Sequence, residues 1–377
     1  MKKILFISTR NPFSNRYSGD VIGSKKIVSV LKKNNSLDLV TLGEKEDFSQ
    51  KGHFVFRKPN FIIKCFNIIR SLFYFQPIQF GLFYSKKMQK FINNNVQRYD
   101  VIFFYHIRSS QYLPENFYGK KIIEMGDLYS NNYRQTSNTL NVFNPLKYIY
   151  FLETYFIKKI EKKIFLNFDK IILFSKNEIK KVDKSFKKKL VHINVSVDKI
   201  NKKYLFAKNN RKILFIGNLK YLPNILAVKS FIKNILPNLK KEDPKVTIEL
   251  IGEISNFNRM IFSLNKNIKC WGSQKYLDKF IKGSFCGLAN LNIATGIQGK
   301  ILTYMSYGLP VICSKNVAHN FDSNVIKYND QNDLLKKINK LKNDKSFSKN
   351  ISKKSLKFIN KFSWNKVKKD YLKIVKT

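Results

Sequence analysis

The chain begins twice. Lys3-Ile-Leu-Phe-Ile-Ser-Thr returns as Lys212-Ile-Leu-Phe-Ile-Gly-Asn, in each case a run of large apolar residues followed by a polar or glycine-bearing turn. Such a run reads as a buried strand, and in a doubly wound sheet a strand of this kind opens each domain. Two openings therefore predict two such domains in tandem, and 377 residues give each one room for its own core.

The first half bears out a βαβ rhythm. After the strand at 3–9 come a loop from Arg10 to Asp20 that contains Gly19, and a helix over 21–33 with Val21, Ile22, Ile27, Val28 and Leu31 on one face. Strands are expected at Leu37–Leu42, His53–Phe56, Tyr99–Tyr105 and Lys121–Glu124. Helices between parallel strands place ligands at the strands' carboxyl ends. His106 and Asp127 stand at two such ends and are the candidate catalytic residues; the alternatives are a structural histidine and a helix N-cap. A long helix over 145–166 and strands at 170–175 and 191–195 follow. The polar run Asp198–Asn210 is the candidate linker. The expected divisions are a first domain over residues 1–205, a linker at 206–211, a second domain over 212–361, and a terminal helix over 362–377 that packs back toward the first domain.

The second half continues with a helix over 225–239 and holds a glycine-rich stretch from Asn290 to Cys313 that reads as loop, helix, stop and strand. Thr295, Gly296 and Gly299 allow a backbone to approach a ligand closely. The helix that starts near Ile297 to Lys300 points its free N–H groups and the positive end of its dipole at that loop, which suits an anion. Gly308 and Pro310 end the helix.

Lysine and arginine outnumber aspartate and glutamate by 71 to 25, a net charge of +46. The basic residues are spread along the whole chain, which reads first as compositional drift and next as attraction to anionic membrane or phosphorylated ligands. Nucleic acid is not an expected partner, because the charge is unclustered and no nucleic-acid motif is found. Segment 60–75 is a basic, aromatic helix candidate. It reads as a core-facing helix, with a membrane-interface helix as the alternative. Cys65, Cys270, Cys286 and Cys313 show no paired spacing and His53, His106, His192 and His319 are scattered, so no metal site is expected. The N-terminus reads as a strand rather than a signal peptide, and no uncharged apolar run is long enough for a membrane span.

Several motifs resemble the family 4 glycosyltransferases. Gly217-Asn-Leu-Lys220-Tyr-Leu-Pro-Asn224, with Ile235-Leu-Pro237 beyond it, is similar to the opening of that family's C-terminal domain. Gly296-Ile-Gln-Gly-Lys300-Ile-Leu-Thr-Tyr-Met305-Ser-Tyr-Gly308-Leu-Pro-Val311 is similar to its donor-site pattern, and Phe362-Ser-Trp364 to its closing motif. Tyr129–Arg134 and Lys170–Glu178 resemble a sugar-transferase subgroup. The resemblance implies an α/β protein of GT-B fold, two Rossmann-like doubly wound domains facing each other across a cleft. It implies a retaining, hexosyltransferase-like enzyme that moves a sugar from a nucleotide-sugar to a glycan or lipid-linked acceptor in cell-surface polysaccharide or lipopolysaccharide assembly. No cofactor is implied, since the nucleotide-sugar is a substrate. Donor-binding residues carried over are Gly217, Asn218, Lys220, Asn224, Gly252, Glu253, Trp271, Gly272, Thr295, Gly296, Ile297, Lys300 and Thr303; Gly19 and Asp20 are assigned to the acceptor. The expected location is cytoplasmic, with peripheral contact on the inner face of an anionic membrane.

Two departures stand out. The family has a glutamate on the donor's ribose where this chain has Thr303, and prefers Asn-Gly-Val-Asp where this chain has Asn194-Val-Ser-Val-Asp198. A threonine hydroxyl lacks a carboxylate's two-oxygen grip. The rival reading is thus a catalytically weak GT-B protein that acts as binding or scaffold partner of another transferase; a nucleotide-sugar epimerase on the same fold ranks third.

Overall fold

A computed structural model describes the chain except residues 16, 17, 198, 293–295 and 377 and the side chain of Asp322. It divides into two units, residues 1–194 with 367–377, and residues 195–366. In the first unit β1 (Lys3–Ser8), β2 (Ser36–Gly43), β3 (His53–Arg57), β4 (Val101–Tyr105), β5 (Lys120–Gly126), β6 (Lys170–Leu173) and β7 (Leu190–His192) form one parallel sheet in the order β3-β2-β1-β4-β5-β6-β7. In the second, β8 (Lys212–Ile216), β9 (Thr247–Ile251), β10 (Ile268–Gly272), β11 (Ser284–Ala289), β12 (Val311–Ser314) and β13 (Ile326–Tyr328) form a parallel sheet in the order β10-β9-β8-β11-β12-β13.

The repeated run is the central strand of each sheet. Ile4, Leu5, Phe6 and Ile7 of β1 and Ile213, Leu214 and Phe215 of β8 are fully buried, because helices cover both faces. Each sheet reverses direction at that strand. Crossovers run from β1 to β2 on one side and continue from β4 on the other, and likewise from β8 to β9 and from β11 to β12. Loops that leave in opposite directions open a crevice at the strands' carboxyl ends.

Three expectations are corrected. The run before residue 210 is no linker, and the first unit ends at Asn194 rather than 205. Val197 pairs with Ser363; Asn201 and Tyr204 donate their main-chain N–H groups to the carbonyls of Ser306 and Tyr307. Asn210 is buried and its amide donates to Leu205 O and Ser284 O, so 206–211 is fastened to the second unit rather than spanning a gap. Polar composition hid this, because the partners are main-chain carbonyls. Second, the helix expected at 225–239 is two, Leu222–Asn234 and Leu236–Glu242, broken just ahead of Pro237. Third, the Phe61–Phe73 helix is not core-facing: it buries Asn67 and Ser71 and leaves its phenylalanines outside.

The last helix, Trp364–Lys376, places Tyr371 and Ile374 within the first unit. Tyr371 Oη donates to Glu124 on β5 at 2.5 Å, and Lys120 Nζ donates to Ile374 O at 2.5 Å. Burial pushes the Glu124 carboxyl up to about 7 against the pull of that tyrosine hydrogen bond.

Candidate functional site

In the second unit the crevice lies beside the end of β8. Gly217 N–H donates to Ile251 O, Gly252 N–H to Gly272 O, and Leu219 N–H to Glu253 O, so the turns after β8, β9 and β10 are hydrogen-bonded side by side. Gly252 has φ +141, and a Cβ there would lie 1.9 Å from Gly217 O. Only glycine fits, because both conformation and space exclude a side chain. Asn218 braces its own turn: its side-chain oxygen accepts from Lys220 N–H at 2.8 Å and its carbonyl from Asn224 Nδ2 at 2.9 Å.

Onto this surface comes the helix Gly299–Ser306, opened by Gly299, where a Cβ would meet nothing within 4 Å. Gln298 precedes it and makes no side-chain cap, so first-turn N–H groups are available to a ligand. Lys300 Nζ lies 2.8 Å from Asn224 Oδ1 and 4.0 Å over the Phe215 ring, and a Cβ on Gly217 would be 3.1 Å from it. Loss of solvent pulls its ammonium down to about 7. The site thus holds a cation whose charge is underpaid by neutral partners, next to main-chain N–H groups. An anion there would be bound by both.

The other donor-side expectations are distributed as follows. Gly217, Asn218, Lys220, Asn224, Gly252, Glu253, Gly272 and Lys300 share this connected surface, with Lys220 Nζ 3.3 Å from Glu253 Oε1. Gly296 is buried and its carbonyl accepts from Asn320 Nδ2 at 2.6 Å. Ile297 packs on the hydrophobic core. Trp271 gives its indole N–H to Glu249 at 3.0 Å. Thr303 turns its hydroxyl back onto Gly299 O at 3.1 Å, a helix-internal bond. Thr295 lies outside the described residues. Two supports carried no sequence signal beyond being aromatic: Phe215 under Lys300, and buried Tyr304, whose hydroxyl donates to Leu214 O and accepts from Ile216 N–H. Tyr304 ties the helix to β8 and so fixes where Lys300 stands.

The first unit builds its crevice from side chains. Arg10, just after β1, pairs with Asp20 in the first turn of the helix Gly19–Asn34, and Ser18 donates to Asp20 Oδ1 at 2.6 Å. Burial alone would raise the Asp20 carboxyl, but Arg10, the Ser18 hydroxyl and His106 together hold it at about 2. Asp20 is therefore a committed partner of Arg10, and Gly19 beside it is open, with nothing within 4 Å of a Cβ. His106 follows β4 with φ +69, a conformation rare outside glycine. Its Nδ1 lies 2.7 Å from Tyr129 Oη. Burial, reinforced by the charge of Arg108, lowers the imidazole to about 4, so it is neutral at pH 7. When the Tyr129 hydroxyl donates to Nδ1, the ring hydrogen sits on Nε2. Arg108 gives Nε–H to Gln79 at 2.9 Å. Asp127 is no N-cap, a position held by Leu128. Its Oδ1 is buried and unbonded, and loss of solvent and neighbouring Glu178 both raise its carboxyl well above the usual range; Glu178 itself is pushed to about 7. Arg10, Arg108 and Tyr129 were not singled out as site residues, since nothing in their spacing links three separate loops. Among the described residues no three metal-ligating side chains gather.

The fold is shared with solved structures. TarM (S. aureus) superposes with a TM-score of 0.66 at 12% identity, over 100% of this chain and 99% of that one. HepE of Anabaena, in complex with UDP and glucose, gives 0.67 at 12% over 100% of both. A glycosyltransferase from Rickettsia africae gives 0.59 at 15%, over 100% and 98%. No curated protein matches the chain in sequence. The architecture is the GT-B fold. Residues 210–344 match the family model for group 1 glycosyl transferases, so the second unit is a domain of that group.

Proposed function

We propose that the protein transfers a sugar, with retention of configuration, from a nucleoside-diphosphate sugar to a glycan or lipid-linked acceptor in cell-surface polysaccharide or lipopolysaccharide assembly. The observation that carries this is Lys300, half neutral at about pH 7 and seated between Asn224, Phe215 and Gly217 at a helix N-terminus. A diphosphate beside it restores the full ammonium charge, and the lysine and main-chain N–H groups then stabilise the negative charge that grows on the leaving diphosphate. The UDP and UDP-glucose complexes of HepE support a uridine donor. In the first unit, neutral His106 offers Nε2–H to an acceptor hydroxyl, with Tyr129 fixing the tautomer. Asp127, shielded and protonated, acts in positioning the loop after β5 rather than as an ion. A lipid-linked acceptor agrees with peripheral attachment to the inner face of an anionic membrane, to which a charge of +46 is drawn.

Isothermal titration of the whole protein with UDP, GDP and ADP and their glucose conjugates tests the donor role. Micromolar binding of one series, weakened by Lys300→Ala, is expected. Binding of none overturns the enzyme reading and leaves the scaffold role, which the self-bonded Thr303 hydroxyl favours.

A further inference from the structure

The Phe61–Phe73 helix is inside out. Its two buried residues, Asn67 and Ser71, are polar. Asn67 donates its amide to Tyr84 O, and its main chain packs so close to Gly81 that a Cβ there would be 2.6 Å from Asn67 O. The apolar residues face solvent: Phe61 is 80% exposed, Ile62 77%, Phe66 69%, Ile69 67% and Phe73 80%. The helix Pro145–Asn167 repeats this over its first half, where Tyr148, Phe151, Leu152 and Tyr155 recur at i, i+3, i+4 and i+7 on an exposed stripe. The chain just past the first helix packs on the second. Phe75 stands 6.3 Å from Phe156, and the carboxylate of Glu153 accepts from Ile78 N–H just beyond.

The charges around this surface have one sign. Arg70, Lys158, Lys159, Lys162 and Lys163 are exposed, and Lys159 lies 5.8 Å over the Phe75 ring. The acidic residues of the two helices, Glu153 and Glu161, are buried. Monomers rarely leave so broad an apolar face uncovered.

We propose that these two helices form one platform that inserts its aromatic and aliphatic side chains into the interface of an anionic lipid bilayer, with the lysines against the headgroups. The inference deepens the peripheral-membrane part of the function proposed above and rests on it only for the identity of the acceptor. Charge decides between occupants. A second copy of this chain would set the same lysines against themselves across a two-fold interface, whereas acidic lipid neutralises them. Insertion, rather than surface attraction alone, follows from the apolar stripe lying outermost.

Vesicle sedimentation of the full chain tests it, with phosphatidylcholine alone and with about one third phosphatidylglycerol added. The wild type is expected to pellet with the anionic vesicles and to remain partly bound at about 1 M salt, where screening removes the charge contribution but not the apolar one. Phe66→Glu with Ile69→Glu, and separately Phe151→Glu with Tyr155→Glu, are each expected to lower partitioning tenfold or more. Lys158→Glu with Lys162→Glu should lower it only at low salt. These positions are exposed, so thermal midpoints and UDP titrations stay at wild-type values; a loss of UDP binding in the wild type would count against the transferase reading and leave this one standing. Failure of the wild type to pellet, or pelleting untouched by the apolar substitutions, overturns the proposal. Dimerisation in sedimentation velocity that those substitutions abolish overturns it in favour of an interface between copies.

Discussion

The two sheets have the same winding around the same central strand, yet their carboxyl ends are furnished in opposite ways. The second unit clears the space. Gly217, Gly252, Gly272 and Gly299 leave main chain at the surface, with Lys300 set among neutral partners. The first unit fills it with side chains already engaged, Arg10 with Asp20, Tyr129 with His106 and Arg108 with Gln79. Bare main chain and one charge recognise a group common to many ligands, a diphosphate. An interlocked set of side chains recognises one shape. On the proposed function, the donor handle is generic and acceptor choice is made in the first unit.

The comparison breaks most visibly at Gly252. Gly252→Ala must move the Gly217 turn, and a loss of 3 kcal/mol or more in urea unfolding, with loss of UDP binding, is expected. Wild-type behaviour would mean that the close approach to Gly217 is not required. Lys300→Ala comes next: UDP affinity should fall about 100-fold by titration, the range of a charge-assisted contact in a dry site, while the unliganded protein loses no stability. His106→Asn should lower kcat by about 30-fold and leave the Kd for UDP unchanged; an equal loss in Kd would move His106 to the donor side.

The pH dependence of Lys300 follows in size. Its folded value of about 7 lies below that of a free lysine, so the unfolded chain holds more protons between about 7 and the ordinary lysine range. Stability of the unliganded protein therefore rises with pH through that window, and Lys300→Met should flatten the slope. Diphosphate binding requires the charged form, so UDP affinity falls as pH rises above about 7, up to about tenfold per unit, with proton uptake visible as a buffer-dependent binding enthalpy. The smallest effect is expected at Thr303. Thr303→Glu frees the side chain from Gly299 O and offers a ribose two oxygens, raising affinity for UDP, but not for inorganic pyrophosphate, about threefold. No difference between those ligands would remove the ribose assignment.

Much of the plan was legible because it rests on local pattern. The paired apolar runs marked both central strands, and the spacing from Gly296 to Gly308 marked the anion-facing helix within two residues of its start. His106 and Asp127 were placed at strand ends, but the neutral state of one and the unbonded carboxyl of the other depend on Tyr129, Arg108 and Glu178, which arrive from other loops. Likewise Asp198–Asn210 reads as a linker because polar composition does not reveal main-chain hydrogen bonds from Asn201 and Tyr204 to Ser306 and Tyr307.

The Phe61–Phe73 segment shows where such pattern stops. Its periodicity correctly announced an amphipathic helix, for that depends only on 3.6 residues per turn. Which face turns inward depends on what it packs against, and here Tyr84 O and Gly81 accept the polar side. The sequence by itself determined two wound sheets, their central strands and a helix aimed at an anion, since each is written in the order of neighbouring residues. Only the tertiary structure decided that Lys300 sits half neutral, that Asp20 is spent on Arg10, and that a row of phenylalanines faces outward, because burial and partnership are set by residues far away in the chain.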